Sequence, residues 1–226
     1  FFDLLCVLAS GHACRVKPSS KDTVLIGYVV DLLRTIDPAI PLRMAEQGER
    51  PDAVIATGSD NANRYFRMLF GGIPSLLRGS RQSVAVLSGR ETAAELSGLE
   101  EDIFAYSGLG CRNVSLLFLP RGYMPELRCT ALNEKYRRNY LRERALLRMR
   151  RMPFVDLDGA VLCEDRSFPA ALSRIHYTFY DSLADVEAWL AAHDDRLQCV
   201  VSGRAQHPGL TDYADDVDTM RFLGTI

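Results

Sequence analysis

Through its first 80 residues the chain alternates short apolar runs with stretches of helical period, and this alternation limits the fold more than any other feature. "FFDLLCVLA" reads as a buried helix, followed by a short strand from Ala13 to Lys17. "KDTVLIGYVVDLLRTID" has apolar residues at 24, 25, 29, 32, 33 and 36, which is helical spacing, and Asp37-Pro38 ends it. "DAVIATGSD" predicts a buried strand over Asp52 to Ala56 running into a Thr-Gly-Ser turn, and "NANRYFRMLFGG" predicts a helix closed by glycines. Parallel neighbours need a crossover connection, usually a helix, so the pattern predicts an α/β fold with a parallel sheet.

The rest of the chain continues the theme. "SVAVLSG", "RNVSLLFLP" and "QCVVSG" read as strands, while "ETAAELSGLEEDIFAYSG" and "SLADVEAWLAAHDDRL" read as helices. "NEKYRRNYLRERALLRMRR" predicts a strongly basic helix whose charges form a solvated face paired with acidic neighbours. With 27 basic and 29 acidic residues among 226, the balance offers no electrostatic case for nucleic acid. No apolar run reaches the roughly 18 residues that a membrane span needs. Six cysteines stand without CxxC or metal-type spacing, which predicts no metal site, reduced thiols and a cytoplasmic protein. The opening on Phe1 within an apolar run suggests the later part of a longer protein.

Three short stretches are suited to chemistry. In "ATGSDNA" a small-residue turn joins a strand to a helix, and the helix start offers N–H groups and a dipole to a phosphate. An ordinary capped turn has the same composition. In "RVKPSS" Lys17 stands at the carboxyl end of a strand, where open α/β sheets bind ligands; a snorkelling lysine reads the same way. In "SGLGCRNVSLLFLP" Cys111 follows a glycine turn and precedes an apolar strand. It reads either as a small buried hydrophobe or as a nucleophile on a turn whose backbone N–H groups can receive an oxyanion. His12, His176, His193 and His207 read as structural or surface residues.

The order of these stretches resembles the aldehyde dehydrogenase superfamily: Ser10-Gly11, Lys17-Pro18-Ser19, Thr57-Gly58-Ser59, then Gly108-Leu109-Gly110-Cys111. Within it, "DAVIATGSDNANRYF", "EDIFAYSGLGCRNVS" and "HPGLTDYADDVDTMRFL" resemble the bacterial acyl-CoA reductases related to the bioluminescence fatty-acyl reductase. The resemblance implies an aldehyde-dehydrogenase-like fold: a Rossmann-type cofactor domain over residues 1–81, a catalytic α/β domain over 82–203, and a tail over 204–226 on the body or at a subunit interface. It implies that Cys111 is the nucleophile, that Lys17, Ser19 and Ser20 approach the adenosine ribose of a nicotinamide cofactor, and that Thr57, Gly58 and Ser59 meet its pyrophosphate. Ser20 stands where NAD-preferring members carry a glutamate, so NADPH (or NADH) is the expected cofactor, with Lys21 adding a favourable charge. Leu76 stands where hydrolytic members carry a water-activating glutamate. The implied reaction is therefore reduction of an acyl-CoA to an aldehyde through an acyl-enzyme on Cys111, by a homo-oligomer. Two other readings stay open: an NAD(P)-dependent aldehyde dehydrogenase, and a non-catalytic cofactor-binding fragment.

Overall fold

The computed structural model describes residues 1–19, 22–129, 133–202, 206–209 and 211–226. Its elements in chain order are α1 (Phe2–Ala9), β1 (Cys14–Val16), α2 (Val24–Ile36), β2 (Leu42–Met44), β3 (Val54–Thr57), α3 (Asp60–Phe70), β4 (Ser75–Arg78), β5 (Gln82–Val86), α4 (Ala93–Phe104), β6 (Val114–Pro120), α5 (Glu134–Met149), β7 (Val155–Asp156), β8 (Val161–Glu164), β9 (Arg174–Tyr180), α6 (Leu183–Ala192), β10 (Leu197–Val201) and α7 (Thr219–Leu223). They form two compact units: Phe1–Gly79 with Thr211–Ile226, and Ser80–Leu210. Among the described residues no helix is long and apolar enough to cross a membrane.

The first unit contains two short parallel pairs, β1 with β2 and β3 with β4. Leu4, Cys14, Val30 and Leu42 form its core, with Ile26 and Leu33 packed against them. The helix expected over residues 24–36 is present, but Val24, Leu25, Leu32 and Ile36 are exposed. Of the expected positions Leu33 faces the core, joined there by Ile26 and Val30, because α2 is apolar on both sides and spacing alone cannot choose between them.

Arg78 joins the 211–226 segment to this unit. It ends β4 with its side chain buried. Its Nη2 donates to Asp3 Oδ1 at 3.1 Å and Thr219 Oγ1 at 2.7 Å, and its Nη1 donates to the Ala214 carbonyl. A guanidinium taken out of water needs such partners, so the charge holds α1 and the returning segment around β4.

The second unit is built on a six-stranded sheet in the order β10-β5-β6-β9-β8-β7. Every neighbouring pair is parallel except β7 with β8. β6 lies near its centre and is covered on both faces, which is why "VSLLFLP" reads as one apolar run. Leu117 and Leu119 enter a cluster with Leu99, Ile103, Phe104 of α4 and Tyr136 of α5. Leu116 and Phe118 point the other way, toward Val186 and Trp189 of α6. The basic helix α5 buries Tyr136, Tyr140, Glu143 and Leu147. Its charges meet acidic partners, Arg138 with Glu134 and Arg144 with Asp156.

Candidate active site

The first unit supplies the elements expected to meet a cofactor. Lys17 follows β1 directly, and Lys17 and Ser19 are exposed. Ser20 and Lys21 lie outside the described residues. Thr57 is the last residue of β3, so both stretches stand at carboxyl ends of strands, on separate two-stranded sheets. A Cβ built on Gly58 would come within 2.7 Å of Ala62 Cβ and 3.1 Å of Phe66, so only glycine lets the turn lie this close to α3.

The N–H groups of this turn are partly committed. The Gly58 amide donates to the Arg78 carbonyl at 3.1 Å, and Ser59 Oγ accepts from the Ala62 amide at 3.4 Å as the helix cap. What the turn offers an anion is the dipole of α3 and the Ser59 hydroxyl hydrogen, against the opposing charge of Asp60 in the first turn. The Gly58 turn contributes space for close approach and not an amide hydrogen bond.

Cys111 lies in the second unit, on the turn between α4 and β6, at the amino end of its strand. α4 ends at Phe104, earlier than the expected Gly108, and gives way to a 3-10 turn over Ala105–Gly108. Tyr106, Ser107 and Gly108 take left-handed φ values of 52°, 58° and 64°. Two successive non-glycine residues in that region are strained and must be held from outside. Asn113 does much of this: its Nδ2 donates to the carbonyls of Asp102 and Ala105 at 2.9 and 3.0 Å, and its Oδ1 accepts from the Gly110 amide at 2.8 Å. Asn133 adds a bond from its Nδ2 to Ser107 Oγ at 2.8 Å. A polar cleft of about 510 Å³ opens beside the same turn, between Glu100, Glu101, Phe104 and Tyr106.

Exposure separates the six thiols. Cys6, Cys14 and Cys163 are buried, Cys129 and Cys199 are half-buried, and Cys111 is exposed. Burial pushes the thiol pKa upward at all five of the others, to about 11 at Cys129, so their sulfurs stay protonated and poorly nucleophilic. Three histidines have structural partners. His12 Nε2 lies 3.1 Å from the Leu223 carbonyl, and the buried His176 Nδ1 lies 2.6 Å from that of Ser167. His193 stacks on Trp189 with ring centroids 4.0 Å apart.

Residue type and spacing do not reveal the supports of the turn. Asn113 has a local signal, an asparagine shortly after glycines, where side chains that satisfy turn amides are common. Asn133 has none, since its partner Ser107 lies 26 residues away.

Asp102 is buried at the end of α4, and its Oδ1 accepts from the Gln206 amide at 2.8 Å. Burial raises its pKa above the ordinary 3.8, outweighing the Gln206 hydrogen bond. The folded state therefore binds the proton more tightly than the unfolded chain, and this group's contribution to stability falls as pH rises from 3.8 through the raised value. Asp102→Asn keeps an oxygen for the Gln206 amide and removes the charge. Thermal melts at pH 7 are expected to show a higher Tm for the variant, with the difference shrinking as the buffer is acidified; a lower Tm at pH 7 would mean that the carboxylate charge is stabilising.

No protein-family model matches the chain, and neither does any curated protein. Solved structures do match. Indole-3-acetaldehyde dehydrogenase AldA from P. syringae, a mutant in complex with NAD+ and IAA, superposes with a TM-score of 0.72 at 12% identity, over 98% of this chain and 63% of that one. An aldehyde dehydrogenase from Bacillus cereus, in complex with NAD+, gives a TM-score of 0.70 at 11% identity, over 98% and 63% of the two chains. Proline utilization A from Corynebacterium freiburgense gives a TM-score of 0.65 at 10% identity, over 98% and 32%.

The chain has the aldehyde-dehydrogenase fold. It spans about 63% of the length of the two aldehyde dehydrogenases. The aldehyde-dehydrogenase frame corrects one expectation. Its similar structures include ones named as aldehyde dehydrogenases and as proline utilization A proteins, names that point to oxidation of an aldehyde and not to reduction of a thioester. Reduction of an acyl-CoA, and acyl-CoA as the partner, are accordingly withdrawn. The expectation rested on the resemblance of the Cys111 and tail stretches and, beside it, on Leu76, which is buried in β4. A missing carboxylate removes one way of activating water; it does not set the direction in which hydrogen moves.

Proposed function

We propose that the full-length protein oxidises an aldehyde to its carboxylic acid with NAD+ or NADP+, using Cys111 as the nucleophile. The observation that carries this reading is the contrast among the thiols: five are buried or half-buried with their pKa pushed upward, while Cys111 stands exposed on a strained, glycine-containing turn. The similar structures named for aldehyde oxidation favour this direction over reduction.

In the proposed reaction the Cys111 sulfur adds to the aldehyde carbonyl carbon and the hydrogen on that carbon leaves as hydride, leaving a thioester; water then adds to the same carbon, the C–S bond breaks, and the acid departs as the Cys111 thiol is restored. When bound, the oxidised nicotinamide accepts that hydride. The first unit would hold it, with Lys17 and Ser19 at the ribose end and the Thr57-Gly58-Ser59 turn at the pyrophosphate. The protons released pass to water. With six thiols and no disulfide, a reducing compartment such as the cytoplasm suits the chain.

The reading is tested by following reduced nicotinamide and carboxylic acid together when the full-length protein meets a panel of aldehydes with NAD+ or NADP+. Acid in step with reduced cofactor supports it; reduced cofactor without acid, or neither product with any aldehyde, overturns it. The same assay tests the cofactor assignment. Ser20→Glu restores the glutamate that the resemblance gives NAD-preferring members at this position, a carboxylate that disfavours a 2′-phosphate, so preference is expected to move from NADP+ toward NAD+. An unchanged preference removes Ser20 from the cofactor site.

A further inference from the structure

A polar cluster lies under the Cys111 turn, and the chemistry above does not use it. Ser83 of β5 is fully buried. Its hydroxyl donates to the Cys111 carbonyl at 2.9 Å and stands 2.9 Å from the Cys199 sulfur. Cys199, on β10, donates its S–H to Gln206 Oε1 at 3.0 Å. Gln206 Nε2 donates to the Arg112 carbonyl at 2.8 Å, while its own amide is held by Asp102. Two successive carbonyls, those of Cys111 and Arg112, are thus gripped by side chains from elsewhere in the sheet unit.

A gripped carbonyl fixes its peptide plane. Fixing the plane that follows Cys111 restricts its ψ and so the directions open to its Cα–Cβ bond, from which χ1 selects among staggered positions for the sulfur. Burial raises the Cys199 pKa, so the S–H donor to Gln206 is kept at neutral pH. Gln206 uses both ends of its amide, and an alternative side chain of the same length would lose at least one bond.

We propose that Gln206, acting with Ser83 and Cys199, is a positioning residue that aims the Cys111 nucleophile. Its effect on turnover rests on the aldehyde-oxidation reading; its effect on the Cys111 thiol does not. Two measurements on the full-length protein test it: the rate of Cys111 alkylation by iodoacetamide across pH, followed by peptide mass, and kcat and KM for aldehyde oxidation. Gln206→Met and Cys199→Ala each break the bridge. Each is expected to slow alkylation and lower kcat by about tenfold or more, since small misplacements of a reacting group are costly, with KM changed by no more than about twofold. Cys199→Ser keeps a donor and an acceptor and is expected to restore both rates to near wild type.

The proposal is overturned if Gln206→Met and Cys199→Ala leave the alkylation rate unchanged, or if Cys199→Ser is as impaired as Cys199→Ala. Should acid form while neither rate responds, the bridge fails and the oxidation reading stands. Should no acid form in wild type while alkylation responds as expected, the bridge stands and the oxidation reading fails. The Cys199 pair carries the test if Gln206→Met does not fold.

Discussion

Cys111→Ala is expected to abolish acid formation, with kcat falling by about 10⁴-fold or more, the scale seen when a covalent nucleophile is removed. The substitution takes away the atom that bonds to the aldehyde carbon. None of the other five thiols can replace it, because each is buried or half-buried and burial pushes its pKa upward. Cys111 is exposed, so its loss opens no cavity and the Tm should stay close to wild type. Cofactor affinity, read by fluorescence of the reduced nicotinamide, should also hold, since Lys17 and the Thr57–Ser59 turn belong to the other unit. Acid production at an undiminished rate would show that the sulfur is not the nucleophile.

Phe118→Ala is expected to give the largest loss of stability, about 3–5 kcal/mol in urea unfolding. Phe118 is fully buried in β6, and its ring meets Trp189 edge-on at 5.0 Å. Trp189 in turn meets Phe168 at 5.4 Å, so truncation empties the centre of an aromatic cluster between the sheet and α6. The cavity cannot close easily, because Val84 and Leu116 are fixed in neighbouring positions of the same sheet. A drop in Tm of about 10 °C should accompany it. A loss below about 1 kcal/mol would mean that this face of β6 is not the packed core described.

Elements whose cause is local were legible in the sequence. β6 is a continuous apolar run because both of its faces are covered. α4 carries its start signal in Thr92 and Glu95, which form a reciprocal cap. Elements stabilised from far away were not legible. Nothing over 75–78 marks a strand, because Arg78 is a charge whose partners lie 75 and 141 residues distant. β9 contains His176, a polar residue that is buried only because the Ser167 carbonyl receives it. The left-handed run at Tyr106 and Ser107 is invisible in residue type, since neither residue favours that conformation without Asn113 and Asn133.

The site divides along the same line. Motif order pointed to Cys111, Lys17 and the Thr57–Ser59 turn, whereas Ser83, Cys199 and Gln206 converge only once β5 and β10 are paired. The direction of the reaction was not legible either. An apolar residue at Leu76 records what is absent, and one fold serves both directions of hydrogen transfer.

The direction of transfer is tested most directly with an aldehyde carrying deuterium on its carbonyl carbon. The full-length protein is mixed with that aldehyde and NAD+ or NADP+, and both products are weighed by mass spectrometry. Oxidation predicts deuterium in the reduced nicotinamide and an equal amount of free carboxylic acid bearing one oxygen from water. Deuterium retained on the substrate carbon, with no acid formed across the aldehyde panel, would contradict the account.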